Sequence, residues 1–192
     1  MVTRRRFLRS LLLLPLALQW RPGPVWAMGG ILPELNQPVP AFELPGVIPG
    51  ADAQNGFIET KLALGDFEGR WLTLYFYPKD FTSGCTLEAR GFQKDLEGFR
   101  NHQAEVVGIS ADDSEAHISF CGSEGLAFPL LSDPGGMVSR AYGSWIAPFS
   151  QRHTFLIDPK GILRARWTAV RPSGHSQEVL QELIRLQTAA SA

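Results

Sequence analysis

Cys85 is the residue in this sequence whose surroundings most favour chemistry. It follows an apolar run, Trp71 to Tyr77, and a turn rich in Pro, Asp, Ser and Gly, and a helical pattern begins at the cysteine. A thiol in the first turn of a helix faces unpaired backbone N–H groups and the positive end of the helix dipole, which favour the nucleophilic thiolate. This strand–loop–helix pattern predicts a reactive thiol. The alternative, a small, buried and inert cysteine, fits the spacing equally well.

The wider pattern favours the reactive thiol. Pro78, Thr82 and Cys85 form P-x-x-x-T-x-x-C, which resembles the active-site loop of the peroxiredoxins. The flanking segments, Tyr75 to Asp80 and Gly84 to Glu88, are similar to those of the bacterioferritin-comigratory (PrxQ) branch.

The resemblance extends over nearly the whole chain after its first residues, from about Pro38 to Leu186. It includes the segments Phe128 to Asp133 and Arg152 to Asp158. One departure is Ser83, where that branch often has proline. This difference changes the stiffness of the loop more than its chemistry.

The resemblance implies a thiol peroxidase that reduces hydrogen peroxide and organic hydroperoxides. Cys85 would be the peroxidatic nucleophile and would become a sulfenic acid, while the second peroxide oxygen leaves as water or alcohol. Thr82 could donate a hydrogen bond to the thiolate or the peroxide, with a turn or cap role as the alternative. Pro78 would stiffen the loop and shield the thiolate.

Arg152 matches the arginine of the peroxiredoxin site and precedes a predicted strand. An arginine stays charged and carries several fixed donors, so it could stabilise the thiolate. The alternative is a surface arginine at a strand end. Arg90 is nearer to Cys85 in sequence, but its helical position points away from the first turn. For Glu88 we predict a cap or dipole role at the helix N-terminus rather than a catalytic one.

Cys121 is the second cysteine of the chain. Some members of the branch carry the resolving cysteine five residues after the first, where this chain has Arg90. Others resemble this chain, with the partner in the helix after the second strand, which implies that Cys121 resolves the sulfenic acid as an intramolecular disulfide. The alternative is a buried core cysteine in a one-cysteine enzyme. His117 lies four residues before Cys121, a spacing that can bind zinc, but no second ligand pair is apparent. We predict no metal and no cofactor.

The implied partners are peroxide substrates and thioredoxin or another dithiol reductant. A non-catalytic redox-sensing or binding module, with a static Cys85–Cys121 pair, is the competing interpretation. A thioredoxin-type disulfide exchanger would need a C-x-x-C motif, and a copper-handling relative would need C-x-x-x-C with a ligating histidine. We expect a monomer.

Residues 1–27 predict an export signal. They contain five arginines and no acidic residue. The basic start precedes an apolar stretch from Leu11 to Leu18 that is too short to span a bilayer. Thr3 to Arg9 resembles a twin-arginine motif, and Val25 to Ala27 offers a cleavage site after Ala27. An ordinary secretory signal or an uncleaved anchor is the alternative. The expected destination is a periplasm or a thylakoid lumen.

Residues 28–192 are sufficient for one domain with a sizeable core. The whole chain has a formal net charge of −1, so removing the arginine-rich signal leaves a mildly acidic domain, which argues against nucleic-acid binding. Alternating strands and helices, closed by a hairpin and a helix, predict an α/β fold: a mixed central sheet with helices on both faces, similar to thioredoxin.

Four local expectations accompany this fold. Gly29 to Pro49 should form an irregular lead-in or a short hairpin, and Ser114 should cap the helix that contains Cys121. His175 should be a cap or surface residue. The helix that begins at Cys85 should face inward along Leu87, Phe92, Leu96 and Phe99.

Overall fold

The computed structural model describes residues 26–27, 29–50 and 56–191. In chain order, the described strands are β1 (Trp26–Ala27), β2 (Gly30–Ile31), β3 (Glu43–Pro49), β4 (Phe57–Ala63), β5 (Trp71–Phe76), β6 (Ala104–Ser110), β7 (Leu130–Ser132), β8 (Trp145–Ile146), β9 (Phe149–Ser150), β10 (His153–Ile157) and β11 (Leu163–Trp167). The α-helices are α1 (Ser83–Asn101), α2 (Ser114–Glu124), α3 (Met137–Ala141) and α4 (His175–Ser191), and a short 3₁₀ helix spans Leu64–Phe67.

Seven of these strands form one mixed sheet in the order β11-β10-β5-β6-β7-β3-β4. The central strands β5, β6 and β7 are parallel to one another, and antiparallel strands flank them on both sides. The loops before α1 and α2 therefore leave the sheet at the same edge, where the carboxyl ends of β5 and β6 meet. Ligand sites in open α/β sheets form at such an edge.

The core lies on both faces of this sheet because the side chains of the central strands alternate. In β5, Leu72, Leu74 and Phe76 pack on one face, with residues of α3 and the 3₁₀ helix. Tyr75 points to the other face, which is covered by α1, α2 and α4. The predicted mixed sheet with helices on both faces is therefore present.

The lead-in region is more regular than the sequence indicates. β3 is a seven-residue strand within Gly29 to Pro49, and it pairs with β4 over its whole length and with β7. Pro45, Gly46 and Pro49 obscure this strand in the sequence, because proline and glycine are normally poor strand residues. Gly46 is required by packing: a Cβ there would lie 2.3 Å from the carbonyl oxygen of Leu130.

The predicted inward face of α1 is wrong at Leu87, which is 51% exposed. The helix begins at Ser83, two residues earlier than expected, and its buried residues include Cys85, Glu88 and Ala89. Because positions three and four residues apart share a helix face, a face that contains Cys85 and Glu88 leaves Leu87 in solvent.

Two further local predictions are wrong. Asp113, not Ser114, caps α2, and its side chain accepts a hydrogen bond from the backbone N–H of Ala116 at 2.9 Å. His175 is buried rather than on the surface, with its Nε2 atom 2.8 Å from the hydroxyl of Thr154. The first error arises because α2 begins at Ser114 itself, so that the preceding residue is the cap. His175 is the first residue of α4, and it packs inward.

The predicted export signal lies mostly outside the described residues, so its cleavage stays a prediction. Its last two residues, Trp26–Ala27, pair with Gly30–Ile31 as a short antiparallel ribbon. Within the described ranges, no helix is long and apolar enough to cross a membrane.

Candidate active site

The sheet register brings Arg152 to the loop that carries Cys85. β10 runs antiparallel to β5, with His153 at the start of one strand opposite Phe76 at the end of the other. Arg152 immediately precedes β10, and the loop from Tyr77 to Thr82 immediately follows β5. Two segments far apart in sequence therefore meet at one edge of the sheet.

Cys85 is the third residue of α1 and is only 1% exposed. Thr82 is the N-cap residue, and the first regular helical bond runs from the N–H of Thr86 to the carbonyl of Thr82 at 2.9 Å. The earlier N–H groups of the helix have no intrahelical acceptor, so their positive ends face the first turn. The sulfur thus lies in the electrostatic setting that the sequence predicted.

Arg152 lies next to the same sulfur. Its Nη2 atom lies 3.4 Å from the Sγ atom of Cys85, and the arginine side chain is 16% exposed. This distance is within hydrogen-bonding reach of sulfur. The structure therefore confirms the predicted placement of the guanidinium beside the thiol.

Glu88 holds this arginine in place. Its carboxylate is buried and accepts a hydrogen bond from Nη1 of Arg152. Burial raises the pKa of Glu88 to about 7, although the positive charge of Arg152 opposes that rise. Burial disfavours the charge on Arg152, but Glu88 and Cys85 outweigh it and raise the arginine pKa. The cap or dipole role expected for Glu88 is therefore wrong: it is the partner of Arg152.

Thr82 and Pro78 shape the loop before Cys85. The hydroxyl of Thr82 donates to the carbonyl oxygen of Lys79 at 3.1 Å, so in this conformation it closes a turn, the alternative that the sequence left open. Pro78 is half-buried after the strand. Phe81 has a φ of 60°, an uncommon backbone conformation for a bulky residue.

Phe81 connects this loop to the helix that carries the second cysteine. Its ring is 57% exposed, and its centroid lies 5.2 Å from that of Phe120 in an edge-to-face arrangement. Phe120 is the residue before Cys121 in α2. This contact between an exposed ring and a buried one therefore joins the loop before Cys85 to the helix that carries Cys121.

Cys121 is a free thiol in the last turn of α2 and is fully buried, as is the free thiol of Cys85. Burial, together with the negative charge of Asp80, raises the pKa of Cys121 to about 12. Its carbonyl oxygen accepts the hydrogen bonds that end α2, from the N–H groups of Gly125 and Leu126. Burial and Asp80 thus favour the neutral thiol, and the backbone of Cys121 forms part of the helix end.

A buried polar cluster beside Cys121 was not identified from the sequence. The carboxylate of Asp80 accepts a hydrogen bond from the Tyr77 hydroxyl and contacts Nδ1 of His117, each at 2.8 Å. The backbone N–H of Asp80 donates to Asp112 at 2.9 Å, which ties the loop after β5 to the loop after β6. Only the position of Asp80 in the matched loop segment could have indicated this cluster.

Tyr75 is a second residue that the sequence analysis missed. Its hydroxyl is buried and has no hydrogen-bond partner among the described residues. Burial and the charge of Glu88 raise the pKa of Tyr75 well above its ordinary value, and both cysteines add to that rise. The ring stacks on Phe92 and Tyr77 and belongs to the same core cluster as both thiols.

This arrangement combines a thiol at a helix start, a fixed cation and a second buried thiol on another helix. A guanidinium beside the sulfur can stabilise the thiolate and donate to an oxygen that accumulates negative charge. Within the described part of the chain, no group of three or more His, Cys, Asp or Glu residues is placed to hold a metal ion.

Comparison with known proteins gives a consistent result. Residues 35–166 match the AhpC/TSA family. A curated relative, peroxiredoxin Bcp of Xanthomonas campestris, is 35% identical over 158 residues, which cover 78% of this chain and 93% of the relative. The mitochondrial thioredoxin-dependent peroxide reductase of Drosophila melanogaster is 35% identical over 160 residues, covering 79% of this chain and 65% of the relative.

Solved structures show the same similarity. A structure of the Xanthomonas campestris bacterioferritin comigratory protein, described for its alkyl peroxide reduction activity, aligns with a TM-score of 0.66 and 31% identity. The alignment covers 74% of this chain and 90% of that one. These neighbours confirm the thioredoxin-like fold predicted from the order of elements.

Proposed function

This chain belongs to the AhpC/TSA family, as a peroxidase of the bacterioferritin-comigratory branch of the peroxiredoxins, and we propose that its chemistry proceeds through Cys85 and Cys121. The observation that carries this proposal is the 3.4 Å approach of the Arg152 guanidinium to the Cys85 sulfur at the start of α1. Helix start and cation act on the same atom, and both favour the thiolate.

The first step is attack of the Cys85 thiolate on one oxygen of the peroxide. The S–O bond forms as the O–O bond breaks, and the second oxygen leaves with one proton as water or an alcohol. Arg152 donates to the oxygen that gains charge, and Glu88 keeps its guanidinium in position. Cys85 is left as a sulfenic acid.

The second step joins the two sulfurs. Cys121 attacks the oxidised sulfur of Cys85, the S–O bond breaks, and the disulfide forms with release of water. Both thiols are buried on different helices, so we propose that the first turn of α1 and the last turn of α2 open during this step. Helix ends open at low free-energy cost. Thioredoxin or a similar dithiol then reduces the disulfide.

The substrates that we propose are hydrogen peroxide and alkyl hydroperoxides. The alkyl peroxide reduction described for the Xanthomonas protein supports the second class. The name of the Drosophila relative supports a thioredoxin-type reductant. We further propose that the enzyme acts as a monomer.

The proposed function is tested by adding one equivalent of peroxide to the fully reduced protein and measuring its intact mass. The expected product is the monomer with two hydrogens lost, and peptide mapping should locate a Cys85–Cys121 bond. Addition of thioredoxin, its reductase and NADPH should restore the reduced mass. A chain that keeps both thiols and leaves the peroxide unconsumed would instead be a non-catalytic binding module.

We also propose export by the twin-arginine route to a periplasm or a thylakoid lumen. The support is the arginine pattern from Thr3 to Arg9 and the small residues before Ala27. Replacing Arg4 and Arg5 by lysine should leave unprocessed precursor in the cytosol. Normal processing of that variant would indicate a different export route.

A further inference from the structure

His117 is a buried group that neither step above uses. It is fully buried in α2, and its Nδ1 atom lies 2.8 Å from Oδ2 of Asp80. Its other ring nitrogen, Nε2, is buried and has no hydrogen-bond partner among residues 26–27, 29–50 and 56–191. Buried polar atoms without a partner are rare in folded proteins, so this nitrogen requires an explanation.

The contact with Asp80 determines which nitrogen carries the hydrogen. An ionised carboxylate only accepts hydrogen bonds, so in the neutral imidazole the hydrogen lies on Nδ1 and donates to Asp80. Nε2 then carries the lone pair. A histidine oriented in this way by a carboxylate has the arrangement of a general base.

Cys121 is the buried thiol one helical turn after this base. In the conformation described, Nε2 makes no hydrogen bond to it, so the two atoms must approach each other for a proton to pass. His117 and Cys121 are four residues apart in α2, so they lie on the same helix face, with their Cβ atoms about 6 Å apart. Both side chains are fully buried. An acidic side chain of the loop after β5 thus contacts an imidazole of α2, and a buried thiol lies one turn further along the same helix.

We propose that Asp80 and His117 form the proton acceptor that activates Cys121 for disulfide formation. The inference rests on the proposed function, because it assigns a catalytic base to the resolving step. Support comes from the surroundings of Cys121: burial and Asp80 raise the pKa of its thiol to about 12, so an unassisted thiol would be almost entirely protonated near neutral pH.

The step balances in protons and electrons. As the last turn of α2 opens, Nε2 of His117 takes the proton from Cys121, and the resulting thiolate attacks the sulfur of the Cys85 sulfenic acid. The S–S bond forms as the S–O bond breaks, and the leaving hydroxide takes the proton back from the imidazolium, so water is released. The two thiol sulfurs are oxidised by the oxygen that the peroxide supplied, and His117 ends neutral.

The groups that face this pair define its pH dependence. Asp80 contacts His117 from the loop after β5, and the Tyr77 hydroxyl donates to the same carboxylate. Asp112, after β6, holds the backbone of Asp80. Tyr75 in β5 belongs to the same core cluster as Cys121. Asp80 is thus the ionisable group in direct contact with the imidazole.

The test separates the two steps by stopped flow, with one equivalent of hydrogen peroxide and mass analysis of quenched samples. In His117→Asn, sulfenic acid should form at the wild-type rate, and disulfide formation should slow by about 10²-fold or more, the usual contribution of a general base. Asp80→Asn should slow the same step to a smaller extent. Excess peroxide should give more sulfinic acid in both variants.

The pH profile distinguishes a base from a structural residue. The wild-type rate of disulfide formation should rise less steeply with pH than that of the variant, because His117 rather than solvent accepts the proton. In His117→Asn the thiol must lose its proton to solvent, so the rate should rise about tenfold per pH unit across the neutral range. Ser119→Ala, which removes an exposed hydroxyl from the same helix, should keep the wild-type profile.

A His117→Asn variant with the wild-type rate and profile of disulfide formation would overturn the inference. Should that variant also lose the first step through misfolding, an unchanged disulfide rate in Asp80→Asn would overturn it. Failure of the proposed function is a separate observation, since the wild type would then leave the peroxide unconsumed. Peroxide consumption without a Cys85–Cys121 bond would refute the resolving role of Cys121 and the inference with it.

Discussion

Cys85 and Cys121 are both almost completely inaccessible to solvent, yet the groups around their sulfurs have opposite electrostatic effects. Cys85 lies in the first turn of a helix, with the guanidinium of Arg152 beside its sulfur. Cys121 lies in the last turn of a helix, near the carboxylate of Asp80. The first position favours a negative charge, and the second opposes it.

This difference shows that burial alone does not decide whether a cysteine is inert. Burial favours the neutral thiol at both sites. The helix end and the nearest charge differ between the two sites, and in the proposed mechanism this difference makes Cys85 the attacking sulfur. Burial and Asp80 favour the neutral thiol at Cys121, so the proposed second step requires that this helix end opens and that a base accepts the proton.

Removing each sulfur in turn gives the largest expected effect. Cys85→Ser should abolish peroxide reduction, because no nucleophile remains at the helix start. Cys121→Ser should keep the first turnover at the wild-type rate and stop before the disulfide, leaving sulfenic acid on Cys85. The measurement is peroxide consumption under single-turnover conditions, with intact mass. Wild-type consumption by Cys85→Ser would assign the chemistry to the other thiol.

Changing the cation beside Cys85 should reduce the difference in reactivity between the two thiols. Arg152→Lys keeps a positive charge but loses the fork that contacts both Cys85 and Glu88. The first step should slow by about 10²–10³-fold, the usual effect of removing one donor to a developing charge. Arg90→Lys is the matched control, because Arg90 lies on the same helix and pairs with Glu124 instead. Equal rates for the two variants would contradict the role of Arg152.

The contact between Phe81 and Phe120 joins the surroundings of the two thiols, so it should affect the rate of disulfide formation. Phe81→Ala removes the edge-to-face contact with Phe120, worth about 0.5–1.5 kcal/mol, from a loop residue that already has a positive φ. Opening should become easier, so disulfide formation should accelerate roughly two- to tenfold and sulfinic acid should decrease at excess peroxide. Leu87→Ala, an exposed apolar change on α1, is the control. Slower disulfide formation in Phe81→Ala would show that the contact aids resolution.

The remaining prediction concerns stability rather than rate, at Glu88, the carboxylate on the Cys85 side. Burial raises its pKa from 4.5 to about 7, so between these values the folded protein binds a proton that the unfolded chain has released. The contribution of Glu88 to the free energy of unfolding therefore falls as pH rises through this window, by about 1.4 kcal/mol per unit of pKa shift.

Glu88→Gln should remove that slope. Urea unfolding at pH 5 and pH 8 measures it, and the stability of the wild type relative to the variant should decrease at the higher pH. An unchanged difference between the two proteins at both pH values would show that Glu88 does not titrate in this range.

The sequence was most informative where residue types are fixed by local chemistry. The P-x-x-x-T-x-x-C pattern and the order of elements correctly predicted the thiol at a helix start, the family and the mixed sheet. The position of Arg152 followed from the resemblance, and the register of β10 against β5 places it beside Cys85.

Groups that act through long-range contacts could not be predicted. The Glu88–Arg152 and Asp80–His117 pairs join residues 64 and 37 positions apart, and a local pattern contains no information about such distances. Pro45 and Gly46 concealed β3 for a related reason, since Gly46 is required by the backbone of β7 and not by its own strand. The contacts that set the charge around each thiol are of this long-range kind.

The most direct test of the contrast between the two thiols is to trap the first oxidised sulfur. Reduced protein is mixed with one equivalent of hydrogen peroxide in the presence of dimedone, which reacts with sulfenic acid, and samples are quenched over time for peptide mapping. The predicted result is a dimedone adduct on Cys85 alone at early times, giving way to the Cys85–Cys121 disulfide where the trap is omitted. An early adduct on Cys121, or equal labelling of both cysteines, would contradict the account.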